Sequence, residues 1–138
     1  MRNMTWNECV EKGLLVKEQT DSNRAHQMRA LATLRLEFWS GQRNKKFTTL
    51  KIEAYYEIIK ELVFAHMYKH GYNCKNHLCL IAYMRTTFPA FAYEIEKIDE
   101  LRQIRNEISY RGLTISSDYM QRNEREFKHI ITTLTAEV

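Results

Sequence analysis

The stretch from Thr48 to Gly71, TTLKIEAYYEIIKELVFAHMYKHG, constrains this chain more than any other. Ile52, Tyr55, Tyr56, Ile59, Val63 and Met67 recur at spacings of three and four, which is one face of a helix and not the alternation of a strand. Thr48 or Thr49 is the expected N-cap and Gly71 the expected stop. A helix of this length with so broad an apolar face has to be covered by other helices.

The remaining chain supplies them. A short helix from about Thr5 to Lys12 is expected to stop at Gly13, and a second from about Asp21 or Ser22 to Trp39 places Ala25, Met28, Ala32 and Trp39 on one face. GQRNKK reads as a loop and YNCKN as a turn. A shorter helix follows from about Asn76 to Thr87. Pro89 opens the next in its first turn, where a missing N–H does no harm, and Gly112 is its expected terminator after about Arg111. The last begins near Ser116, Ser117 or Asp118. Four glycines and one proline leave little material for tight strand turns. The expectation is an all-α fold, a compact bundle of five to six helices forming one domain over residues 1–138.

A net charge of +4 permits a polyanionic partner without demanding one. MRNMTWNECVEKG lacks the apolar core of a signal peptide, and no run of about 18 apolar residues occurs, so a cytoplasmic protein with no membrane contact is expected. Cys9, Cys74 and Cys79 cannot all pair, and are expected to form no disulfide framework, in keeping with a reducing compartment.

The stretch LRQIRNEISYRG, Leu101 to Gly112, carries an anomaly. At about 100° per residue, Phe91, Ile95, Ile98, Leu101 and Ile108 form one broad stripe, and Arg105 falls near its middle. A permanent charge there needs a carboxylate such as Glu53, Glu57 or Glu94, an escape to the stripe's edge, or a polar cleft holding an anion.

Arg105-Asn106, three further residues and Tyr110-Arg111-Gly112, at the end of a helix that follows a long Tyr-Tyr helix, resemble the HEPN family (higher eukaryotes and prokaryotes nucleotide-binding). ECVEKGLLVK, AYYEIIKELVFAHMYKHGY and KNHLCLIAYM are similar to segments of prokaryotic and archaeal members, in the same order, from about Trp6 to Leu134. The resemblance implies an up-and-down four-helix core and a symmetric homodimer, with the arginine-bearing helix ends of two subunits meeting in a cleft. Many members are metal-independent ribonucleases in which an Arg holds the scissile phosphate and a His handles the proton. Arg105, Asn106 and Tyr110 are then the candidate catalytic residues, Arg102, Arg105 and Arg111 the candidate RNA or phosphate contacts, and no cofactor is called for.

The chain departs from that pattern where it matters, with Tyr110 at the motif histidine. A histidine ordinarily titrates near 6.5, whereas a tyrosine ordinarily titrates near 10 and is a poor base at neutral pH. Binding of RNA or a nucleotide in the cleft is therefore the expected function, and an active endoribonuclease toxin the alternative. Some HEPN toxins are modified by a partner nucleotidyltransferase on a tyrosine two residues beyond the histidine. Here that position is Gly112, which leaves Tyr110 as the substitute.

A competing cluster is HMYKHGYNCKNHLC, in which four of His66, His70, Cys74, His77 and Cys79 could surround a zinc ion and make the chain a zinc-binding interaction module. The spacing matches no common zinc module, His77 sits where the similar HEPN chains often carry a histidine near a helix start, and the ordinary alternative is a solvated helix end with Cys74 and Cys79 packed as small residues. His26 and His129 stand alone. Tyr55, Tyr56, Phe64, Tyr68, Tyr83, Phe88, Phe91 and Tyr93 are read as core or interface before base-stacking platforms.

Overall fold

The computed structural model describes residues 3–138. Its centre is α3, Thr48–His70, which buries Ile52, Tyr55, Tyr56, Ile59, Val63 and Met67 as the periodicity requires. Around it pack α2 (Ser22–Ser40), α4 (His77–Thr87), α5 (Ala92–Arg111) and α6 (Ser117–Glu137), with α1 (Trp6–Glu11) laid against α4. The fold is an all-α bundle. Its side chains close into one core cluster in which Phe127, Ile130, Ile131 and Leu134 of α6 meet α3 and α5 residues.

Capping follows local chemistry. Thr5 and Glu8 make a reciprocal capping box at the start of α1, Asp21 caps α2 and Asn76 caps α4. The start of α3 corrects the threonine-cap expectation. A 3-10 turn over Lys45–Phe47, capped by Asn44, leads into the helix, and α3 starts after Phe47 with no side-chain cap hydrogen bond. Thr48 instead donates its hydroxyl to the Lys45 carbonyl, and the Thr49 hydroxyl accepts from the Ile115 amide, tying the connection before α6 to α3.

Two short strands were not expected. β1, Leu15–Lys17, pairs antiparallel with β2, Tyr72–Cys74, in the register Leu15 with Cys74 and Lys17 with Tyr72. Three-residue strands are too short to show a period of two, so the second reads as a turn in sequence. Gly71 makes the junction possible. It closes α3 at φ +80°, and a Cβ there would lie 2.8 Å from the Glu18 carbonyl oxygen, so only glycine fits.

The cysteines correct a second expectation. Cys9 and Cys79 are joined by a disulfide with Cα atoms 5.8 Å apart, binding α1 to α4, while Cys74 is a buried free thiol. Cys79 is thus a covalent tie and not a simple packing residue. Among the described residues no helix is long and apolar enough to cross a membrane.

Most of the aromatic residues enter the core, but Tyr93 is exposed and does not. His66 is buried beside Tyr83, its Nδ1 2.7 Å from the phenol oxygen, and its ring lies 4.3 Å from that of His70. Burial, helped by His70 and Lys69, pushes the His66 imidazole down to about 4. The folded value lies below the unfolded one, so this contribution to stability is present in full above about pH 6.5 and is lost as pH falls toward 4. The melting temperature should therefore decline through that window, and His66→Asn should flatten the decline. An equal slope in the variant would show that other groups govern the acid limb.

Candidate functional site

The site is built on the second half of α5. Ile95, Ile98 and Leu101 anchor the helix in the core, and the helix ends at Gly112 with φ +65°. Arg105 leaves the stripe partly exposed and places Nη2 3.3 Å from Glu57 Oε1 on α3, so one of the three carboxylates proposed from sequence is its partner. Glu57 is shared, its other oxygen lying 2.8 Å from Lys60 Nζ. The Arg105 Nε is buried and has no hydrogen-bond partner among the described residues. The pair is thus incompletely hydrogen-bonded.

The deeper arginine is Arg102, one turn earlier and only 4% exposed. Its Nε donates to Asp99 Oδ1 at 2.8 Å, and the other Asp99 oxygen accepts from Gln103 Nε2 at 3.3 Å. Asp99, itself 5% exposed, neutralises Arg102 and fixes the direction of its guanidinium.

Across from these residues stands the start of α4. His77, the first residue of that helix, lies with Nδ1 3.3 Å from the Tyr56 hydroxyl on α3. Together Lys75, His77, Arg102, Arg105, Asn106 and Tyr110 line a groove of about 340 Å³. Three of its lining residues are permanent cations and, among the described residues, none is a carboxylate. The positive end of the α4 dipole adds to the same field. Comparison with family models, with curated protein sequences and with solved structures returns no match.

What the site can do therefore follows from its own residues. Burial pushes the His77 imidazole below its ordinary range, and Lys60, Arg105 and Arg102 push the same way against Glu57. Burial also pushes the Tyr56 phenol up to about 12, with Arg102 opposing, so it stays protonated. The groove thus presents positive charge and the His77 imidazole to one small space, with the Tyr56 phenol buried behind the imidazole.

Four of the five residues picked out from sequence, Arg102, Arg105, Asn106 and Tyr110, line this groove, and Arg111 does not. Arg102, Asn106 and Tyr110 are shared with an adjoining hollow of about 450 Å³ that Arg111 also lines. They are not equivalent. Tyr110 is 82% exposed at the rim, and Arg111 is exposed and paired with Glu107 at 3.4 Å. Of the zinc candidates only His66 and His70 lie side by side. His66 turns to Tyr83, His77 to Tyr56, and Cys79 to Cys9, while the Cys74 thiol donates to the Asn76 carbonyl at 2.8 Å. Among the described residues no three His, Cys, Asp or Glu side chains are grouped to hold a metal ion.

His77 belongs to this groove, a role that the sequence spacing did not assign to it. It sits 28 positions from Arg105 (105 less 77) on another helix, so no local motif links them. The available signal was its place near a helix start, where the chains it resembles often carry a histidine.

Proposed function

We propose that this chain is a HEPN-like protein whose groove between the start of α4 and the end of α5 binds the phosphates of RNA or a nucleotide. The observation that carries this reading is the lining itself, Lys75, Arg102 and Arg105 with no carboxylate among the described residues. Polyanions are held through this kind of charge, and the Arg105 guanidinium lines the groove while paired with Glu57 at 3.3 Å. Asn106 contributes a neutral amide at the same wall.

The homodimer belongs to the same proposal. Tyr110 and, just beyond the helix end, Leu113 are exposed at 82% and 44%, and offer apolar surface for a second copy whose groove faces the first. A partner nucleotidyltransferase would find the Tyr110 hydroxyl accessible.

The test is the affinity of a short fluorescent oligoribonucleotide as a function of salt. Three cations on single-stranded RNA give a log–log slope of roughly −2. Arg105→Ala is expected to reduce that slope by about 0.7 and to weaken binding about tenfold or more, the loss of one charge-assisted contact. Glu57 keeps Lys60 as its partner in this variant, so the fold survives. Salt-independent binding, or an Arg105→Ala variant that binds as well as the wild type, would remove the reading.

A further inference from the structure

We infer that the outer face of α2 is an interface on which two copies of this chain pair antiparallel about a two-fold axis. α2 turns Ala25 and Ala32 to the core and packs almost wholly against α3. Its opposite face carries Leu31, Leu34 and Phe38, exposed at 42%, 62% and 64%. Leu34 shares a shallow hollow with Ala30, Thr33, His26 and Arg29. Apolar side chains grouped on a face that the helix does not use for its own packing mark a contact with another surface.

Charge decides what that surface is. Arg29 and Glu37 are both exposed, and neither forms an ion pair among the described residues, whereas Arg35 of the same helix is paired with Glu61. They stand eight residues apart (37 less 29), about 12 Å along the axis, with Thr33 midway. At about 100° per residue, Arg29 and Glu37 lie on one side of the face, Leu31 and Phe38 on the other, and Ala30 and Leu34 between them.

A two-fold axis passing by Thr33, perpendicular to both helices, reverses the second copy and keeps like sides together. Arg29 then meets Glu37 of the second copy, and Glu37 meets its Arg29. On the other side Phe38 meets Leu31 of the second copy. Along the middle Leu34 lies over Ala30, whose small side chain admits it. A second copy thus answers both ends of the face by symmetry, as an isologous contact requires. No α2 residue lines the groove, so this pairing leaves the groove open and does not depend on what the groove binds. Tyr110 and Leu113 lie outside α2, so the homodimer contact proposed there can form beside this one, giving assemblies larger than a dimer.

The experiment is sedimentation equilibrium of the full chain over a wide concentration range. A contact along one helix is small beside a stable interface, so association in the micromolar range is expected, with a mass that rises with concentration. Leu34→Asp and Phe38→Asp should each weaken it about 100-fold or more, because each puts a charge into the apolar seam. Both sites are exposed in the single chain, so the circular dichroism of these variants should match wild type. Arg29→Glu should raise the dissociation constant about tenfold, and Arg29→Glu with Glu37→Arg should bring it back, which damage to the fold could not do. Thr33→Cys, at the axis, should form a covalent dimer with itself on mild oxidation. A wild-type mass that stays at one chain at every concentration overturns the inference. So does association that Leu34→Asp leaves intact, which assigns the self-contact to another surface, or a double charge reversal no tighter than Arg29→Glu alone.

Discussion

Asp99→Ala is expected to destabilise the chain by about 3–5 kcal/mol, the cost of leaving one member of a buried ion pair without the other. Arg102 and Asp99 are 4% and 5% exposed, and the Arg102 Nε donates to Asp99 at 2.8 Å. Removing the carboxylate leaves a mostly buried guanidinium without its counter-charge. Gln103, the other residue bonded to Asp99, cannot replace a charge. A loss of this size is a large part of the roughly 5–15 kcal/mol that holds a small domain together, so the urea midpoint should fall sharply. The double variant Asp99→Ala with Arg102→Met should recover much of it, because an apolar pair of similar bulk has no desolvation to repay. An unchanged midpoint in Asp99→Ala would mean that Arg102 reaches solvent unaided. The same contact matters for binding: with Nε committed to Asp99, the remaining edge of Arg102 is the part available to the groove.

Reduction of the Cys9–Cys79 bridge is the second large effect. The bridge joins positions 70 residues apart, and removing a cross-link that closes such a loop costs about 4 kcal/mol through the freedom regained by the unfolded chain. Thermal melting with and without a strong reductant measures it. Cys9→Ser should melt at the reduced temperature under both conditions, and Cys74→Ser should keep the difference, since Cys74 carries no bridge. Identical melting of wild type in both conditions would show that the two sulfurs form no cross-link.

The helices were legible because their signals are local. Gly71 and Gly112 stop α3 and α5 where expected, and Asp21 and Asn76 cap the helices they precede. What escaped was whatever depends on two distant segments. The β1–β2 pairing has no periodicity to betray it, and the partner of Cys9 is set by how α1 lies on α4. At the site, Arg105 stood out because its neighbours on the wheel are apolar. Arg102 was named only as a phosphate contact that the resemblance implies, and its burial and its pairing with Asp99 three residues earlier went unread. His77 is the clearest instance: its helix was read correctly, but its place opposite Arg105 is a fact of packing.

The β1–β2 clip also has a mutational reach that its size conceals. One wall of the groove, α5, is anchored in the core by Ile95, Ile98 and Leu101. The other begins directly after β2, at Lys75, Asn76 and His77, and is fastened by residues near the N-terminus: Leu14 accepts from the Lys75 amide at 2.8 Å, and Cys9 holds Cys79. The width of the groove is thus governed from residues 9–17, none of which lines it. Substitutions there can alter ligand affinity as remote-site variants, inherited together with a groove they never touch.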